Sequence, residues 1–470
     1  MAPSTAQRRP HAILVAYPLQ GHVIPSVHLA LKLASRGLSI TFVNTLSVHH
    51  QTLRAHSPTT DEEDVFACAR RSGLDIRYEV VSDGLPLGFD RSLNHDQFMS
   101  ALLHVLSAHV EELARGVEGV DCLIADTFFV WPATLARRLG IAYVSFWTEP
   151  ALVFTLYYHL DLLRRNGHFG SNDNRDDTID YIPGVPSLEP TDLPSYLQDT
   201  DTSTVVHQII YKAFSEAKRA DFVLCNTVQE LEPSTISALQ STKPFYAVGP
   251  LFPSASTSTV PTSLWPESDC THFLDPKPDH SVLYVSFGSY AHLSKRDLTE
   301  IALGLLDSRV SFLWVLRPDI VSSDDPDPLP AGFVESAGGR GLVVPWCRQA
   351  EVLKHRAVGG FFTHCGWNSV MESIWCGVPM LCLPLLTDQF VNRRLVVEEW
   401  RVGTGVEGRP RREKVAKKIG EVMMGGKVRE GFVREIRETR RALENAVAVG
   451  GSSEVNLDRF IEDLTKRDCY

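Results

Sequence analysis

Short apolar runs recur along the whole chain with helix-length stretches between them, and this alternation narrows the possible folds more than any other feature. The runs lie at residues 11–16, 40–43, 122–125, 142–146 and 222–225, and again at 282–287, 312–316, 341–344, 358–362 and 380–383. Such runs lack the apolar–polar alternation of a half-exposed strand, so both faces of each must be covered. Helical patterns between them supply the cover, as with Val27, Leu29, Ala30, Leu33 and Ala34 after the first run. This order predicts parallel sheets clad in helices, an α/β architecture that binds ligands beyond the carboxyl ends of its strands.

Residues 253–263, dominated by Ser, Thr and Pro, divide the two series and read as an interdomain linker. The expected organisation is an N-terminal domain over 1–252, a linker over 253–271, a C-terminal domain over 272–453 and a last helical segment over 454–470. Residues 166–180, rich in Asp, Asn and Gly, read as a loop that continues through Pro183, Pro186, Pro190 and Pro194.

Composition removes several function classes. A net charge of −11 argues against a nucleic-acid partner, whose phosphates would repel the chain. No run of eighteen apolar residues exists to span a membrane. The first ten residues carry two arginines, but Tyr17, Pro18, Gln20 and His22 break the apolar run behind them, so no secretory signal is expected. Nine cysteines without a framework or paired Cys-x-x-Cys spacing fit a reducing compartment and argue against zinc. A cytoplasmic monomer is the expectation.

The polar residues that could carry chemistry cluster after strands. The run 358–362 leads into His364, Cys365, Gly366, Trp367, Asn368 and Ser369 before a helical pattern opens, which puts a helix N-terminus where a phosphate could sit. Glu372 follows about one turn later on the same face. Trp346 offers a flat ring for a base, and Gln349 an amide that both donates and accepts. The run 380–383 ends toward Asp388 and Gln389, an acid and an amide suited to sugar hydroxyls. After 282–287, Gly288 lets the backbone approach a phosphate and Ser289 adds a hydroxyl. In the N-terminal half His22 follows the first strand, Asp126 ends the run 122–125, and Thr148 and Glu149 follow 142–146. Taken one at a time, these residues have ordinary structural readings: a packed Trp, a capping Asp, a bystander His.

Together they carry a resemblance. The stretch 346–389 closely resembles the signature box of the plant secondary-product UDP-glycosyltransferases, and the likeness covers nearly the whole chain, weakest between residues 160 and 210. It implies the GT-B fold, two Rossmann-like domains facing across a cleft, with the acceptor on the N-terminal domain, the UDP-sugar on the C-terminal one and the last helix packing back on the first. It implies UDP binding by Ser289, Trp346, Cys347, Gln349, His364, Gly366, Asn368, Ser369 and Glu372, and sugar contacts from Thr148, Trp367, Asp388 and Gln389. Gln389 goes with glucose donors. His22 becomes the general base, poised by Asp126, in an inverting transfer that needs no metal and no cofactor beyond the donor substrate. Tyr157, Tyr158 and Phe89 become candidate lining for a small lipophilic acceptor. One position departs from the family: Arg348 stands where proline is usual.

Two rival classes are weighed against this. A nicotinamide dehydrogenase should show Gly-x-Gly-x-x-Gly after a strand, and none is present. A nonenzymatic UDP-sugar binder would keep the box and lose the base, whereas His22 and Asp126 are both in place. A transferase for another UDP-sugar remains the alternative within the family.

Overall fold

The computed structural model describes residues 9–56, 64–171, 175–251, 262–321 and 328–467. Residues 253–261 of the expected linker, and 1–8 ahead of the first strand, lie outside the described residues. Among those described, thirteen strands form two sheets with every pairing parallel. The fold is α/β of the GT-B class, with two Rossmann-like parallel sheets.

The first sheet comprises β1 (His11–Val15), β2 (Ser39–Thr45), β3 (Ile76–Val81), β4 (Cys122–Asp126), β5 (Ala142–Trp147), β6 (Phe222–Cys225) and β7 (Phe245–Ala247), in the order β3-β2-β1-β4-β5-β6-β7. Every residue of β1 is buried, and the pleat sends its side chains to opposite faces. Ala12 and Leu14 join one core layer with Ile40, Phe42 and Ile124, while Ile13 and Val15 join another with Val43, Leu123, Phe98 and Leu102. The first of these layers is completed by Leu457, Phe460 and Leu464 of the helix Ser452–Arg467. Tyr246 OH donates to Asp463 of that helix at 2.7 Å, and Asn456 Nδ2 donates to Ala247 O at 2.9 Å.

The second sheet comprises β8 (Val282–Ser286), β9 (Ser311–Val315), β10 (Gly341–Val344), β11 (Val358–Thr363), β12 (Met380–Cys382) and β13 (Gly403–Gly405), in the order β10-β9-β8-β11-β12-β13. In each sheet the strand order reverses beside the first strand, between β1 and β4 and between β8 and β11. Ligand-binding loops of doubly wound sheets gather at such points.

The chain forms two compact units: Met1–Tyr158, Asp201–Trp265 and Val449–Tyr470 in one, His159–Thr200 and Pro266–Ala448 in the other. Sequence order puts residues 159–200 in the N-terminal domain, yet in the structure they group with the second unit. Side-chain pairing explains it. Asp192 accepts from Arg393 Nη2 at 3.1 Å and from Arg394 Nη1 at 3.2 Å, partners that no local pattern announces. No helix among the described residues is long and apolar enough to cross a membrane.

Candidate active site

The first unit gathers three strand ends on one imidazole. His22 stands in the first turn of the helix Gln20–Ser35, directly after β1, and its N–H bonds back to Leu19 O at 2.9 Å. Its Nδ1 lies 2.7 Å from Oδ2 of Asp126, the last residue of β4, and 3.0 Å from Thr148 Oγ1, just beyond β5. Asp126 is 1 % exposed, and its other oxygen accepts the N–H of Phe128 at 3.0 Å, so the carboxylate is fixed on both sides. A carboxylate there calls for a proton on Nδ1, which leaves Nε2 with the lone pair that could receive one. Tyr17 and Phe128 flank the ring at centroid distances of 5.3 and 5.9 Å.

Beside this ring pair Tyr17, Leu102, Leu103, Phe128, Phe129, Val130 and Ile209 line a tight apolar seam with no room for a water molecule. Tyr157, Tyr158 and Phe89 are not among its lining. Tyr157 is 2 % exposed and packs against Trp147 and Phe214. Tyr158 stacks on Phe154 beneath two lysines, Lys218 and Lys243. Aromatic residues at helical spacing fill a core as readily as they line a pocket, and sequence does not separate the two. Glu149 is buried too, at 9 % exposure.

The second unit assembles the signature-box residues around the helix Trp367–Cys376. Gln349 is the hub: its Nε2 donates to Glu372 at 2.7 Å and to Ser369 Oγ at 3.0 Å, while its Oε1 accepts from Tyr284 OH at 3.3 Å. Burial pushes the Glu372 carboxyl up to about 7, against the opposing pull of the Gln349 bond and of Lys354. Trp346 is half-buried just before them. Arg348, free of the proline constraint, turns outward to Glu267 and Glu351.

His364 sits between two close glycines. A Cβ on Gly288, at φ 76°, would lie 2.3 Å from the ring Nε2, and one on Gly366 would lie 2.5 Å from it. Only residues without a side chain allow the turns after β8 and β11 to close on the imidazole. Burial, and next the neighbouring charge of Arg317, lower the His364 imidazole to about 4, so near neutral pH it is uncharged. A hydrogen bond with the Ser286 backbone opposes this lowering. Asn368 and Ser369 stand at the helix start, the positive end of the helix dipole, which favours an anion. Ser289 is half-buried in the turn beyond β8.

Two positions of the box have their side chains packed into the interior. Trp367 is 4 % exposed with its indole packed on Trp400, and Cys347 is 3 % exposed with its thiol 3.7 Å from Tyr284 OH. Hydrogen bonding with the Cys270 thiol, then burial, holds the Cys347 thiol far above its usual range. Asp388 and Gln389 follow β12 and are 7 % and 5 % exposed. Gln389 Oε1 accepts the N–H groups of Leu385 and Leu386 at 2.9 and 3.1 Å, which directs its amide nitrogen the other way. Asp388 accepts from Thr387 Oγ1 at 2.7 Å.

Three residues absent from the sequence reading shape this unit. Asn392 Nδ2 donates to Cys365 O at 2.8 Å and also to Asp388, tying the turn after β11 to the turn after β12. Arg317, 1 % exposed, donates to Ala291 O at 2.6 Å and so braces the loop that carries Ser289. A lone charge closing the apolar run 312–316 is the signal that could have found it. Tyr284 lies inside an apolar strand and gives no signal. Among the described residues, no group of three or more His, Cys, Asp or Glu side chains is placed to hold a metal ion.

Comparison with known proteins shows what the chain is similar to. Residues 259–433 match the family model described as UDP-glucoronosyl and UDP-glucosyl transferase. The chain is 57 % identical to UDP-glycosyltransferase 86A1 of Arabidopsis thaliana over 98 % of its own length and 95 % of the relative's. Among solved structures it is similar to UDP-glucose: anthocyanidin 3-O-glucosyltransferase in complex with UDP, at 28 % identity and TM-score 0.81, covering 98 % of this chain and 100 % of that one. It is also similar to Phytolacca americana UGT2 complexed with UDP-2fluoro-glucose and pterostilbene, at 28 % identity and TM-score 0.77, covering 97 % and 99 %.

Proposed function

The chain belongs to the plant family 1 UDP-glycosyltransferases, and from that premise we propose that it transfers glucose from UDP-glucose to a hydroxyl or carboxyl of a small lipophilic metabolite, with inversion. The observation that carries the reading is the 2.7 Å pair of His22 and Asp126 at the switch point of the first sheet. In the proposed step His22 Nε2 takes the acceptor proton as the acceptor oxygen bonds to the anomeric carbon. The bond from that carbon to the β-phosphate oxygen breaks, and UDP leaves with its electron pair. Asp126 keeps the proton on Nδ1 and stabilises the imidazolium that forms.

On the donor side, Trp346 stacks on the base and Gln349 and Glu372 take the ribose. The start of the helix Trp367–Cys376, with Ser289 and neutral His364, meets the diphosphate. This assignment gives every developing charge a protein partner, so the reading includes no metal. Glucose rests on Gln389, whose amide nitrogen is turned away from its own loop. Rates with UDP-glucose, UDP-galactose, UDP-xylose and UDP-glucuronate against a panel of phenols and terpenoid alcohols test the reading. UDP-glucose should lead, and activity should survive chelator. Leadership by another donor overturns the sugar assignment, and no transfer from any donor overturns the function.

A further inference from the structure

The turn that carries Asp388 and Gln389 begins with a residue in an unfavourable conformation. Thr387 has φ 57°, a left-handed backbone that β-branched residues strongly disfavour. Such a residue keeps its place only where its surroundings over-determine it, and at functional sites the strain is commonly part of the arrangement.

What holds Thr387 is a single residue far away in the chain. The N–H of Thr387 donates to Ser195 Oγ at 2.8 Å, and the carbonyl of Thr387 accepts from the N–H of Ser195 at 3.0 Å. Both main-chain groups of the strained residue are thus met by one serine. The segment around Ser195 is also fastened to the helix Gln389–Arg394, which follows Thr387. There Asp192, 3 % exposed, accepts from Arg393 and Arg394, and Arg394 Nη2 donates to Ser187 O at 2.6 Å. Gln198 Nε2 closes the segment on itself through Leu193 O at 2.6 Å. A part-buried ion pair and the two-way hold of Ser195 on the Thr387 main chain together make residues 187–198 a brace against the donor-reading turn.

We propose that Ser195 is a positioning residue for donor-sugar selection: by clamping Thr387 it sets the direction in which Asp388 and Gln389 present their polar groups to the hexose. The inference rests on the reading of those two residues as sugar-facing. Telling one hydroxyl epimer from another requires polar groups held to within about 0.5 Å, which a turn able to relax out of a disfavoured conformation does not provide. The nucleotide side is organised separately, by Gln349 with Glu372 and Ser369 and by Gly288 with His364. Loss of the clamp should therefore divide sugar reading from nucleotide binding.

The test compares Ser195→Ala and Ser195→Thr with the wild type as full chains, by calorimetry with UDP and by initial rates with UDP-glucose and UDP-galactose. In Ser195→Ala the Kd for UDP should stay within about twofold, kcat/KM with UDP-glucose should fall roughly tenfold, and the glucose-to-galactose ratio should shrink at least about threefold. Ser195→Thr keeps the hydroxyl and should recover most of both kinetic losses. Retained UDP affinity certifies the fold of each variant. UDP affinity falling in step with rate, an unchanged donor ratio, or no recovery in Ser195→Thr overturns the proposal. Failure of the functional reading shows itself separately, as wild-type protein that transfers neither hexose, and it removes this proposal with it.

Discussion

The two units share one sheet plan and use its strand ends in different ways. In the first, the loops after β1, β4 and β5 deliver side chains, and Asp126 and Thr148 both lie within 3.0 Å of a single nitrogen of His22. In the second, the loops are shaped by backbone: Gly288 at φ 76°, Cys365 at φ 68° and Thr387 at φ 57° take left-handed conformations, and Gly288 and Gly366 close on the His364 ring. Moving one proton needs one ring in one tautomer. Holding a diphosphate needs many donors at fixed points, which turns and helix ends supply without losing side-chain entropy. The first kind of site should fail sharply when one side chain goes, the second by degrees when the backbone is disturbed.

The largest effect is expected from the first unit. His22→Ala should lower kcat by about 10³-fold while UDP binding by calorimetry is unchanged. Equal losses in both would erase the contrast between a chemical site and a binding site. In the second unit, Gly288→Ala drives a methyl group into the His364 ring and strains the turn. UDP affinity should drop about tenfold, roughly 1.4 kcal/mol, with kcat at saturating donor reduced less, and steady-state rates over a range of donor concentrations separate the two. The last effect falls on stability rather than on rate or binding, as a pH dependence. Glu372 titrates near 7 when folded and at 4.5 in its ordinary state, so the folded chain holds a proton that the unfolded chain has released. Its stabilising contribution is full below about pH 4.5 and is lost as pH rises through 7. Between pH 5 and 8 the Tm of the wild type should fall relative to that of Glu372→Gln by a few degrees, about 2 kcal/mol or less. A parallel pair of curves would show that the carboxyl is not buried as described.

The layout of both sheets was legible because fully buried strands write themselves as apolar runs, and the polar residues just after those runs marked His22, Asp126, His364 and Asp388. Sequence was silent where partners lie far apart. Nothing near Ser195 points to Thr387, and nothing in residues 159–200 announces that Asp192 answers Arg393 and Arg394. It was also silent on which atoms a position presents. Trp367 and Cys347 fall within the box, but packing on Trp400 and Tyr284 turns their side chains inward. Asn392 read as one more helical residue, because a bond between two turns leaves no periodicity.

The helix Ser452–Arg467 supplies Leu457, Phe460 and Leu464 to the layer that covers Ala12, Leu14 and Ile124. A chain emerging from the ribosome therefore leaves part of that layer, beside Phe222 and Tyr246, uncovered until translation has run past Leu464, while the intervening unit already has all its parts. Synthesis order and completion order are reversed: the half begun first is finished last.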